Sequence, residues 1–183
     1  MALFDAFLKL DGIKGESADS KHKGEIDIES FTWGMSQTGV SATGGGGGAG
    51  KVKVHDISFQ KKTDASSPLL FLNCANGAHI KEATFVVRKA GGTQLEFLKI
   101  KLTDVLISSY KPHGTDGTID WGDGSATAAD DWEAQKVENQ IPSETFSLNY
   151  AKIEYSYQPQ GADGKAQGGP IVAGWDVKAN KKV

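Results

Sequence analysis

The sequence predicts a mainly β protein: a β-barrel of bent, antiparallel-rich strands with one short flanking α-helix over about residues 66–76. Three observations carry this. Apolar residues alternate with polar ones through most of the chain, the period of a half-buried strand. Four of these long alternating runs change face partway. One segment only, near Ser66, abandons the period of two for helical spacing.

In chain order, Ala2 to Leu10 is the first strand, with Phe4, Ala6, Leu8 and Leu10 on one parity. Asp11-Gly12 and Gly15 turn the chain, and the polar stretch Ser17 to Lys23 is loop. Ile26 and Ile28 then share a face, but Phe31 and Trp33 fall on the opposite one, a slip near Ser30. The same slip separates Val52 and Val54 from Ile57 and Phe59, and Leu98, Ile100 and Leu102 from Val105 and Ile107. It recurs between Phe146, Leu148, Tyr150 and Ala151, Ile153, Tyr155, Tyr157. A one-residue change of phase is a β-bulge or a sharp bend. Four of them predict a sheet that curls round one core and closes on itself. The helix opens at Ser66-Ser67-Pro68, with Ser66 or Asp64 as cap and proline in the first turn, and ends at Asn76-Gly77. Ile80 to Ala90 and Leu95 to Tyr110 form a hairpin across Gly91-Gly92, with Ala83, Phe85 and Val87 inward. The last strands are Glu144 to Gln158 and Ile171 to Ala179, and Trp175 is a core or interface aromatic.

At 183 residues the chain suits a single domain, 1–183, decorated by a glycine-rich loop (37–51) and an acidic insert (111–143). The formal charge of −3 offers no basic footprint for nucleic acid. No apolar run approaches the ~20 residues of a membrane span. MALFDAFLKLDG lacks a basic n-region and a small-residue cleavage site, so no cleaved leader is expected. Cys74 is the lone cysteine, which excludes an intrachain disulfide and two-cysteine redox chemistry and points to synthesis in a reducing cytoplasm.

The glycine run raises the question of phosphate binding. Gly45-x-x-x-x-Gly50-Lys51 fits most of a P-loop, but Val52 stands where a magnesium-holding Ser or Thr is required. A helix must also start there, whereas Val52, Val54, Ile57 and Phe59 carry strand periodicity. The nucleotide reading fails on both counts, leaving a long connection between strands whose length suggests a function.

Between Lys111 and Ser143 seven acids face two bases, a local charge of −5 that leaves +2 for the remainder. The spacing of Asp116, Asp120 and Asp123 is not that of an EF-hand, so the stretch reads as a solvated acidic loop. Cys74 reads as a small buried hydrophobe, and His22, His55, His79 and His113 as surface or structural residues. No carboxylate stands in an apolar run that would raise its pKa for acid catalysis. No common catalytic or zinc motif is present, so no enzyme, cofactor or metal site is expected.

Taken in order, FLKLDGIKGES (7–17), SFTWGMSQ (30–37), GGGGGAGKV (44–52), SPLLFLNCANGAHI (67–80), EATFVVRKAGG (82–92), LKIKLTDVLISSY (98–110), SLNYAKIEYSYQPQ (147–160) and GWDVKANKKV (174–183) resemble the haemolysin-coregulated protein (Hcp) family. These are the tube proteins of the bacterial type VI secretion system. The resemblance spans nearly the whole chain apart from the acidic insert. It implies a β-barrel of two sheets and a homohexameric ring with a wide pore. Such rings stack into a tube that a contractile sheath expels, capped by a spike protein, with small effector proteins held in the pore. It further implies secretion from the cytoplasm without a cleaved signal peptide.

Gly44, Gly45, Gly46, Gly47, Gly48 and Gly50 match the family's extended loop, which reaches the neighbouring ring. Thr32, between Phe31 and Trp33, points away from the core by alternation. Alternation alone fits an ordinary solvent-facing threonine equally well; the resemblance makes it a pore residue that touches cargo. Two other classes stay open on the residues: a monomeric barrel holding a small ligand in its core, and an exported effector or enzyme that uses Asp120 and Asp123.

Overall fold

A computed structural model describes residues 4–37, 52–89, 94–114, 141–161 and 164–183. The glycine loop from 38 to 51 and most of the acidic insert, 115–140, lie outside the described residues. Among the described residues, eleven strands and one helix follow in the order β1 (Phe4–Leu10), β2 (Ile26–Asp27), β3 (Ser30–Thr32), β4 (Met35–Ser36), β5 (Lys53–Val54), β6 (Ile57–Lys62), α1 (Ser67–Asn76), β7 (His79–Lys89), β8 (Glu96–His113), β9 (Ser143–Tyr157), β10 (Ile171–Asp176) and β11 (Lys181–Lys182). The fold is mainly β, antiparallel throughout, with the short helix between Pro68 in its first turn and Gly77 at its end; Ser66 makes no side-chain cap bond, and Asp64 Oδ1 accepts from the Ser66 N–H at 2.9 Å. Gly77 takes the left-handed conformation (φ 64°) that ends the helix and only glycine adopts freely.

The main sheet runs β11-β10-β9-β8-β7-β1-β2 and branches at β9. The first half of β9 pairs with β6 (Ile57↔Leu148, Phe59↔Phe146), and its second half pairs with β10 (Ile153↔Trp175). The changes of face expected in β8 and β9 are visible at one level, and β7, where none was expected, shares them. Inward positions pass from Ala83 to Ile80 in β7, from Leu102 to Val105 in β8, and from Ile153 and Ala151 to Tyr150 in β9. Register is unbroken across that level: Glu82↔Thr103↔Lys152 and Ile80↔Val105↔Tyr150 flank it. These slips are therefore a shared bend rather than inserted residues. Asp104 sits in the bend at φ 54°, and its carboxylate accepts hydrogen bonds from His79 Nδ1 (2.7 Å) and Lys178 Nζ. Register shifts of the bulge kind occur elsewhere, at Val87/Arg88 and Ile107/Ser109.

One correction concerns closure. Among the described residues the strands do not close into a continuous barrel: β2 pairs only with β1 and β3 only with β6. The slip near Ser30 marks this break, because Ile28 N–H bonds Ala6 O on one side and Glu29 N–H bonds Gln60 O on the other. The chain thus changes partners at a corner, and a corner interrupts the ladder.

The bent sheet wraps one core. Leu8, Phe85, Ile100 and Leu102 from one half meet Ile57, Phe59, Phe146 and Leu148 from the other, all essentially inaccessible. Phe85 joins the halves, its ring 4.7 Å from Phe31 and 5.1 Å from Phe59, with Phe146 5.5 Å beyond Phe59. Leu70 anchors α1 on this core, while Leu69, Phe71 and Leu72 remain exposed.

Candidate functional site

Strict alternation along β3, β6 and β9 sends Phe31, Phe59 and Phe146 inward, so the residues between them share the opposite face. Register places Thr32 beside Ser58, Ser58 beside Ser147, and Ser147 beside Ser109. The next row is Ser30, Gln60 and Thr145. Ser58 and Ser147 join hydroxyls at 2.7 Å, and Ser30 Oγ donates to Gln60 Oε1 at 3.1 Å. Thr32 itself is exposed.

The row of Ser30, Gln60 and Thr145 continues to the exposed Lys111 on β8, and further charge lies at the two ends of this face. At one end Lys62 lies 3.6 Å from Glu29. At the other, Asp56 accepts from Asn149 Nδ2 (2.8 Å) and from Ser108 Oγ. The centre is a band of hydroxyls and one amide that can donate and accept hydrogen bonds but exerts no net field. Among the described residues the Ser58 and Ser147 hydroxyls meet each other and not a base, so neither is an activated nucleophile.

Behind this face lies a buried ionic cluster. Lys61 and Glu144 are register partners on the inward side and both are wholly inaccessible. Lys61 Nζ donates to Glu144 Oε1, Asp64 Oδ1 and Lys62 O, each at 2.7 Å. Glu144 also accepts from Ser67 Oγ (2.9 Å) and Tyr110 Oη (2.8 Å). Burial, then the Glu144 carboxylate, pushes the Tyr110 phenol up to about 12, so it remains a donor. Since Ser67 opens α1, the cluster ties the helix start to β6, β8 and β9.

Sequence alternation places Lys61 in phase with Ile57 and Phe59, and Glu144 in phase with Phe146 and Leu148; that parity is the signal for their burial. Glu144 is a buried carboxylate, held by a cation and two hydroxyl donors rather than set in an apolar run. Among the described residues no group of three or more His, Cys, Asp or Glu side chains is placed to hold a metal. Cys74 is a free, half-buried thiol on α1.

Met35↔Val54 and Ser36↔Lys53 pair beside the glycine loop, whose residues Gly44 to Gly50 lie outside the described set, as do Asp120 and Asp123. Trp33 secures this hairpin by donating its Nε1–H to Tyr150 Oη at 2.7 Å. Burial pushes the Tyr150 phenol up to about 12. Trp33 also stacks on Tyr155, and with Met35 and Trp175 it lines an open apolar groove of about 300 Å³.

Comparison with known proteins decides the family. The sequence profile described as "Type VI secretion system effector, Hcp" matches residues 7–157. The chain belongs to the Hcp family. It is 42% identical over 177 residues to protein hcp1 of Pseudomonas aeruginosa, covering 96% of each chain. The crystal structure of Hcp1 from Salmonella typhimurium aligns with TM-score 0.73 at 37% identity over 100% of both chains. A structure described as a type six secretion system protein aligns with TM-score 0.82 at 28% identity, over 98% of this chain and 99% of the other. As an Hcp protein the chain is a secreted component of the type VI tube system. No helix among the described residues is long and apolar enough to cross a membrane.

Proposed function

We propose that this Hcp chain is a non-enzymatic building block of the type VI inner tube. Six copies form a ring, rings stack, and effector proteins ride in the pore against the Thr32 face. The observation that carries this is the sheet β3-β6-β9-β8, whose two margins have no further strand partner among the described residues, although Phe71 of α1 packs on Tyr110 of β8. Among the described residues, β3 pairs only with β6, and Ile107–His113 of β8 pair only with β9. Exposed strand edges invite pairing with another chain. These two edges differ, so they suit a heterologous contact, the kind that closes into a ring. In such a ring the uncharged Thr32–Ser58–Ser147 face of each copy continues into the next as a pore lining. Phe31, Phe85, Phe59 and Phe146 pack on one another through the centre of the core, which favours this reading over a ligand-binding barrel. Sheath and spike proteins are the further partners, and nucleic acid has no part.

The extended glycine loop serves contact between rings, ordering on assembly at an entropic cost that the contact must exceed. Negative-stain electron microscopy of the parent and of a Gly44–Gly48 deletion tests both points. Six-fold open rings are expected in both, with tubes depleted in the deletion. Monomers at every protein and salt concentration would overturn the ring, and equal tube yield would overturn the loop's role.

A further inference from the structure

A second buried titratable cluster lies on the outer side of β1 and β7, where the Hcp tube reading gives it no task. Phe7 points away from the core yet is only 5% exposed, because residues 14–25 fold across it. Gly15 makes this closure possible: a Cβ there would stand 2.4 Å from Glu25 O. His22 lies flat on the Phe7 ring (centroids 4.2 Å apart, planes at 8°) and is 6% exposed. Its Nδ1 is 2.9 Å from Glu25 Oε2. An ionised carboxylate only accepts, so Nδ1 carries a proton in either charge state of the ring.

That assignment leaves Nε2 as a bare lone pair when His22 is neutral. Nε2 is buried, has no hydrogen-bond partner, and faces Glu96 Oε1 of β8 at 3.5 Å. Lone pair then faces carboxylate, and a buried polar atom is unsatisfied. A proton on Nε2 turns the same approach into a charge-assisted N–H···O contact. The surrounding charges act in the same direction. Asp5, Asp19, Glu25 and Glu96 face the cluster against one guanidinium, Arg88, which bridges Asp5 and Asp19 and lies 4.8 Å from the Phe7 centroid. Those four acids and one base sum to −3, and the exposed Lys21 and Lys23 on either side of His22 reduce this to −1 around a neutral ring. In the Phe7 row, Asp27 on β2 and Lys99 on β8 add one charge of each sign and cancel.

We infer that His22 is a proton-operated latch: protonation at Nε2 joins the 14–25 loop to Glu96 on β8, and its loss loosens that cover. The protonated ring thus makes one hydrogen bond to β8 that the neutral ring cannot make.

The test is thermal unfolding of the parent, His22→Gln and Glu96→Gln at about pH 5.5 and about pH 8, on either side of the ordinary imidazole range. Comparing variants cancels the titration of all other groups. The parent should gain about 2–4 °C more than His22→Gln on going to the lower pH, the response of a chain this size to one added ionic hydrogen bond. Glu96→Gln, which keeps the imidazole and its stacking, should lose most of that gain. Hydrogen exchange at Gly15, Ser17 and Gly24, corrected for intrinsic pH dependence, should slow at the lower pH in the parent only. Parallel pH profiles for the parent and Glu96→Gln, or a larger gain in either variant, would overturn the latch. If His22→Gln does not fold, the Glu96→Gln comparison decides alone.

Discussion

Replacing Lys61 by methionine removes the cation from a cluster that water does not reach. Lys61 and Glu144 are both wholly inaccessible, and Lys61 Nζ has three oxygen acceptors at 2.7 Å with Ser67 Oγ at 3.2 Å. Methionine nearly matches the aliphatic length, so the change tests charge and not volume. It strands the Glu144 carboxylate with two donors, Ser67 and Tyr110, and takes one from Asp64. Breaking a buried ion pair from one side costs about 3–5 kcal/mol, a large part of a typical domain's stability. For a chain of this size that is a fall in Tm of roughly 6–20 °C. The two remaining donors place the expectation in the lower half of that range.

Lys61→Met/Glu144→Gln separates charge from shape, since the amide oxygen still accepts from Ser67 and Tyr110 while the stranded charge is gone. It should recover at least half of the loss, measured by urea unfolding with circular dichroism. A loss below about 1 kcal/mol for Lys61→Met, the worth of a surface pair, would refute the buried-pair argument. So would a double variant no more stable than the single one.

Two other outcomes are expected. Thr32→Gln lengthens a side chain on the uncharged face without touching the core, so ring mass and Tm should hold while effectors that co-purify with the parent are lost; unchanged co-purification with normal ring mass removes Thr32 from the cargo surface. Asp19 is held at about 2, below its ordinary 3.8, chiefly by its hydrogen bond to Arg88 and then by the Lys21 N–H. A depressed carboxylate contributes stability above its ordinary value and loses it as pH falls toward the folded one. Asp19→Asn should therefore flatten the fall of Tm between about pH 4 and pH 2, and acid limbs that run parallel in parent and variant would show that the Arg88 contact contributes nothing there.

The sequence by itself determined what depends on neighbours along the chain. Alternation located most strand segments and the face of Thr32, while capping residues and Gly77 bounded α1 to within a residue. The ordered motifs named the family. Local pattern also flagged the changes of phase in β8 and β9, though not the one in β7, and it could not tell a bulge from a bend, because both shift parity by one. Only the paired register, unbroken through Ile80↔Val105↔Tyr150, made that distinction. Pairing of β6 with β9 joins Ile57 to Leu148, far apart in the chain, and no local signal encodes that choice. The same pairing sets Lys61 against Glu144, and a folded-back loop covers His22. Parity puts Lys61 and Glu144 in the inward phase but does not name their partners, and nothing local marks His22; burial became affordable only where tertiary contacts supplied the opposite charge and the donors that water would otherwise provide.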